Sequence, residues 1–182
     1  GNMELRWYDD SADTWTTTVI EAIGGAQLNY VATATRPTDN ATMVLWSRPN
    51  GANRDLRCAL ITGGATFALG GNVFTNKLFY AAGNTYVTGW SLTMLPDGRW
   101  YAAYVGRGAT ADQGIGYRVS SDNGATWGAE AQLDEQNMVI RMVDMAPARG
   151  ASGGRIYATW AGGPGSPDPD ACWGNYTRSF PL

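Results

Sequence analysis

Hydrolytic chemistry starts from paired carboxylates, histidines or an activated nucleophile, and this chain offers few arrangements of them. Histidine is absent from all 182 residues. That removes His-based triads, imidazole general bases and the commonest metal ligand together. Cleavage of a glycosidic bond needs two carboxyl groups held about 5–10 Å apart. The neighbouring acids Asp9–Asp10, Asp134–Glu135 and Asp168/Asp170 all fall at strand ends or in a Gly/Pro-rich loop. Asp144 lies inside the apolar segment Val139–Met145 and is the one candidate for a catalytic acid, its structural alternative being a channel-lining or arginine-paired carboxylate. No acid cluster has metal-ligand spacing, so neither a metal nor another cofactor is expected. Cys58 and Cys172 are too few for a metal site and read as buried thiols, unless the fold brings their Cα atoms within about 7 Å.

These residues must be positioned by β-strands. The chain has 24 glycines, 8 tryptophans and 9 tyrosines. Short runs rich in Val, Thr, Tyr and Trp alternate with turn pairs such as Asp39-Asn40, Asp97-Gly98 and Asn123-Gly124, which is strand-and-turn chemistry. No apolar stripe of period 3.6 persists for three turns, so almost no helix is expected. Strands are predicted over 4–9, 16–21, 30–36, 42–48, 56–62, 77–82, 87–95, 100–106, 114–120, 129–133, 139–145, 155–161 and 172–180.

The pattern repeats. Ser120-Ser121-Asp122-Asn123-Gly124-Ala125-Thr126-Trp127 is a compact hairpin signal: Asn-Gly turns easily, the Asp carboxylate can accept backbone N–H bonds, and the Trp can fold under the turn. The segments starting at Asp10 (Asp-Ser-Ala-Asp-Thr-Trp15) and Thr62 (Thr-Gly-Gly-Ala-Thr-Phe67) align with the one at Asp122, giving spacings of 52 and 60 residues. Between these turns, Trp46, Tyr104 and Trp160 occupy one aligned position on the strands at 42–48, 100–106 and 155–161.

The Ser-x-Asp-x-Gly-x-Thr-Trp stretch resembles the Asp-box (BNR repeat) of sialidase-like β-propellers. The resemblance gives Ser120, Asp122, Gly124, Thr126 and Trp127, with Asp10 and Trp15 of the degenerate copy, a structural role in the hairpin. It implies an all-β propeller of four-stranded antiparallel blades. Read this way, the chain is one partial propeller domain: half a blade at about 3–22, full blades at 28–83 and 86–135, and a partial blade at 138–180. Propellers usually close with four to eight blades, and about three are present. A homodimer is therefore expected, the first two strands of one C-terminal blade completing the last two of the other chain's N-terminal blade to give about six. A piece of a larger propeller is the alternative.

Sialidases with this box also need an arginine triad, a Tyr–Glu nucleophile pair and an Asp acid/base. The Arg-Ile-Pro-type motif that supplies one triad arginine is missing, and Arg155-Ile156-Tyr157 on a predicted strand does not replace it. The expectation is accordingly a non-catalytic binding module for carbohydrate. The aromatics Trp46, Tyr104 and Trp160 would stack on sugar faces, with Arg48 and Arg107 beside them. The alternatives are a sialidase-like glycoside hydrolase and a scaffold without ligand, with the recurrent aromatics filling the space between blades. Net charge is −3 and no basic run occurs, so nucleic acid is not an expected partner. No apolar stretch reaches the roughly 20 residues of a membrane helix. Gly1-Asn2-Met3 opens no signal-peptide core, though Gly1-Asn2 could be a cloning scar that leaves a removed signal open. An extracellular location is implied by the family resemblance alone.

Overall fold

The structure is a computed structural model that describes residues 1–23, 31–51, 53–63, 66–77, 89–107, 113–134, 138–147, 155–164 and 174–181. At 106–107, 113–114, 134, 138–142, 155, 161–164 and 174–181 the backbone alone is described. All regular structure among these residues is β. The strands are β1 (Asn2–Asp9), β2 (Thr14–Ala22), β3 (Val31–Thr35), β4 (Thr42–Asn50), β5 (Asn53–Thr62), β6 (Thr66–Lys77), β7 (Trp90–Met94), β8 (Trp100–Arg107), β9 (Gln113–Ser120), β10 (Ala131–Asp134), β11 (Met138–Pro147), β12 (Arg155–Pro164) and β13 (Gly174–Pro181).

They form four antiparallel sheets, each a meander in chain order: β1-β2, β3-β4-β5-β6, β7-β8-β9-β10 and β11-β12-β13. The grouping of strands follows the repeat in the sequence. The last strand of the first four-stranded sheet occupies Thr66–Lys77, where no strand was expected; of the expected strand at 77–82, residues 78–82 lie outside the described residues. The strand carries a Gly70-Gly71 step. It is the strand's close approach to the neighbouring sheet, where a Cβ on Gly70 would lie 2.5 Å from the Gly124 carbonyl oxygen.

The sheets stack face to face in chain order, because alternate residues of each strand are apolar on both faces. Met3 and Ile20 of the first hairpin pack on Val44, Trp46 and Ala59. The opposite face of that sheet (Met43, Leu45, Leu56, Cys58, Phe74) packs on Trp90, Leu92, Trp100 and Tyr104. Tyr101, Ala103, Val105 and Ile115 then pack on Val143, Met145, Ile156, Ala158 and Trp160. β7 lies against both β3 and β11, so the first strands of three successive sheets run side by side. In a meander the first-to-second and third-to-fourth turns share one end of the sheet, and the second-to-third turn lies at the other.

Candidate functional site

The Asp122 turn is built by side-chain hydrogen bonds. Thr126 donates its N–H to Asp122 Oδ1 over 2.9 Å and its hydroxyl to Oδ2, and Ser120 Oγ donates to Oδ1 over 2.8 Å. Gly124 N–H donates to Ser120 Oγ over 2.9 Å. These donors, Thr126 first, hold the Asp122 carboxyl below the usual carboxylate range. Asn123 and Gly124 both have positive φ, 59° and 83°, as an Asn-Gly turn requires. The Gly124 carbonyl accepts Gly71 N–H from the preceding sheet over 2.9 Å, and Trp127 packs into the core shared by the two sheets. Beneath the turn the Cys58 thiol is free and buried, its pKa pushed up to about 11 by desolvation. The polar side chains of Ser120, Asp122 and Thr126 are all engaged in closing the turn.

The degenerate copies differ. At the first turn the accepting carboxylate belongs to Asp9 and not to Asp10: Ser11 N–H, Ser11 Oγ and Ala12 N–H donate to Asp9 Oδ1 over 3.0, 2.6 and 3.2 Å. Trp15, expected to pack under the turn, is 71% exposed and faces Tyr8 across the hairpin, ring centroids 5.4 Å apart. Phe67 of the third copy packs into the core with the first hairpin.

The residues expected to stack on sugar are interior. Trp46, Tyr104 and Trp160 are 0%, 3% and 6% exposed, each turned toward the preceding sheet, so none presents a ring face to solvent. Their periodicity comes from packing, since each sheet needs one large ring at that place. Two are tied to carboxylates. Trp46 Nε1 donates to Glu21 over 2.9 Å. Tyr104 donates its hydroxyl to Glu130 over 2.7 Å, and Lys77 Nζ completes that site at 2.6 Å from Glu130 Oε2. Burial, then the Glu130 bond, raises the Tyr104 pKa.

Arg48 is committed to structure, 3.2 Å from Glu21 and 3.3 Å from Asp55. Arg57 joins Glu21 at 3.4 Å. Burial works to raise the Asp55 pKa, but the Asn76 N–H, Asn50 and Arg48 outweigh it and hold the carboxyl low. The Arg107 side chain, Arg149, Cys172, Trp173, Glu135, Asp168 and Asp170 lie outside the described residues. Of the described arginines, Arg36 and Arg48 do not converge: Arg36 sits at the β3–β4 turn, and Arg48 at the opposite end of its sheet. Asp144 is exposed on β11, accepting Ser91 Oγ over 3.0 Å. Its own N-terminal neighbour on the chain side is apolar Val143, and among the described residues no second carboxyl hydrogen-bonds with it.

What the sequence did not point to is a cleft at the end of the sheets that carries the Asp122 turn. It has a volume of about 770 Å³ and forms where the ends of β3, β7 and β11 meet. Its apolar wall is Ala34, Pro37, Met94, Pro96 and Pro147, and its polar groups are Thr35, Thr38, Thr93, Arg36 and Asp97. Arg36 is fixed by Asp39, with Nε and NH2 at 2.8 and 2.7 Å from its two oxygens, and NH1 donates to Asn123 over 2.6 Å. Asp97 is held by Arg99 Nε at 2.7 Å, which with the Arg99 N–H lowers its pKa. The turns Asp39-Asn40 and Asp97-Gly98 lie beside this cleft, but in sequence they mark only strand boundaries and point to no site.

Among the described residues no group of three His, Cys, Asp or Glu side chains is placed to hold a metal ion. No protein-family model matches the chain, and no curated protein matches it.

Proposed function

We propose that the chain is a section of an Asp-box β-propeller that binds carbohydrate at this cleft without cleaving it. The propeller reading is supported by the meander sheets stacked in chain order and by the bonding of the Asp122 turn. The binding reading rests on one observation, the composition of the cleft. A sugar ring has apolar C–H faces and a rim of hydroxyls. The wall of Met94 and three prolines suits the faces, while Thr35, Thr38, Thr93, Arg36 and Asp97 offer donors and acceptors to the rim. The volume is in the ordinary range for small-ligand sites, roughly 300–1,000 Å³.

Hydrolysis is less well supported. Among the described residues the cleft is lined by a single carboxyl group, Asp97. A general acid needs a raised pKa, whereas that of Asp97 is lowered. The test is a glycan array with the intact chain and with Thr38→Trp, an exposed position at the cleft wall. Binding of a defined glycan set, lost at least tenfold in Thr38→Trp, is the expected result. An array without any bound glycan, or equal binding by the variant, overturns the proposal.

A further inference from the structure

The sheet stack repeats one contact. The aromatic residue that ends each third-to-fourth-strand turn is covered by the sheet before it. Phe67 packs in the core shared with β1-β2, and Trp127 in the core shared with β3–β6. Trp15 is the aligned residue of the first sheet, and it is 71% exposed, with Tyr8 at 43% and Val19 at 48% on the same outer face. The other end of the stack shows the converse. Tyr101 on β8 is turned toward the following sheet and is 2% exposed; its aligned residue Tyr157 on β12 is 43% exposed. Among the described residues, the outer face of β1-β2 and the Tyr157 face of β12 are therefore the two sheet faces at the ends of the stack that no other sheet covers.

We infer that the Tyr8–Trp15–Val19 face is a docking surface for the β11–β13 sheet of a second copy of this chain, with its Tyr157 face as the counterpart. The two surfaces are unlike, so the contact is head-to-tail, and two copies related by a two-fold axis use both surfaces of each. The occupant follows from the internal pattern: what covers Phe67 and Trp127 is a sheet of this same construction, and the uncovered sheet face on the chain is that of β12. This docking is by face and differs from the edge pairing expected from sequence. β12 already pairs with β11 on one side and β13 on the other, so it has no free edge with which to complete the hairpin β1-β2. The charged pair Glu4–Arg6 lies on the same face, with Glu4 opposite Val19 and Arg6 opposite Thr17. The inference rests on the sheet stacking and not on sugar binding, so a glycan array without hits leaves it standing.

The test is solution mass by light scattering over a wide concentration range. The intact chain is 19.5 kDa. The expected mass is that of two chains or more, falling to one chain in Trp15→Asp at equal concentration. Leu69→Ser, at an apolar position 49% exposed elsewhere, should leave the mass of the intact chain unchanged. Far-ultraviolet dichroism confirms that both variants are folded. A single-chain mass for the intact protein throughout, or an unaltered mass in Trp15→Asp, overturns the inference, as does dissociation by Leu69→Ser to the same extent.

Discussion

Replacing Gly124 by alanine tests whether the Asp122 turn is seated against the preceding sheet as the structure describes. Gly124 has φ 83°, and an added Cβ would lie 2.8 Å from Met43 Cε and 3.3 Å from Cys58 Sγ. Two costs add. A left-handed conformation without glycine costs about 1–2 kcal/mol, and overpacking a filled core costs typically about 1–3 kcal/mol. The sum is roughly 2–5 kcal/mol. Gly98 separates the two: its φ is 90° and a Cβ there meets nothing within 4 Å. Gly98→Ala should lose only the backbone part, roughly 1–2 kcal/mol. At about 2–4 °C per kcal/mol for a chain of this size, Gly124→Ala should melt roughly 4–20 °C below the parent, and Gly98→Ala roughly 2–8 °C below it. Urea unfolding followed by tryptophan fluorescence gives the free energies directly. Equal losses in the two variants would refute the packing of the turn on Met43 and Cys58. A Gly124→Ala protein as stable as the parent would refute the whole local geometry.

Acid should weaken the fold with a defined sign. Asp9, Asp39, Asp55, Asp97 and Asp122 are all held below the usual aspartate range by the hydrogen bonds they accept. A depressed carboxylate contributes stability that is present above its unfolded pKa and lost as pH falls through its folded one. The urea midpoint should therefore be insensitive to these groups between pH 7 and 5 and fall below about pH 4; a midpoint that holds from pH 5 to 3 contradicts this. Glu21 is the clasp between the first hairpin and the next sheet, binding Trp46, Arg48 and Arg57. Glu21→Ala should cost about 2–4 kcal/mol, because it leaves the Trp46 N–H and part of the Arg57 charge buried without their acceptor. Hydrogen exchange should accelerate first in β1 and β2, and unchanged exchange there would refute the clasp.

The sheets were legible because their signals are local. Asn123-Gly124 and Asp97-Gly98 mark turns by backbone chemistry, and alternation between them marks strands. The Asp122 turn was legible for the same reason, since its bonds join residues two to four apart. β6 was not, because Gly70-Gly71 takes its meaning from the Gly124 carbonyl on another sheet, more than 50 residues away. Asp9 was passed over for Asp10 because alignment by Thr14 and Trp15 fixes the register of the copy, while the bonding depends on where the shorter turn begins. The cleft was invisible for a similar reason: Thr35, Met94 and Pro147 share no motif and come together only because β3, β7 and β11 run side by side.

The burial of Trp46, Tyr104 and Trp160 changes where function should be sought. In a stack of similar sheets, what recurs in every sheet is what every sheet must do, and that is to pack against its neighbours. A ligand is met once, by whatever the stack brings to one place. Recurrent aromatics therefore identify the core, and on the proposed binding reading the ligand contacts belong to positions that break the repeat. At the cleft Arg36 is such a position, Met94 standing at the aligned place in the next sheet, while Asp97 keeps the Asp of the aligned turn at Asp39. The first-to-second-strand turns of two sheets both carry an Arg–Asp pair, yet in opposite chain order: Arg36 precedes Asp39, and Asp97 precedes Arg99. The two turns consequently present a cation from one sheet and a carboxylate from the next to the same cleft, an asymmetry that the fold does not require and that a polar ligand could use for orientation.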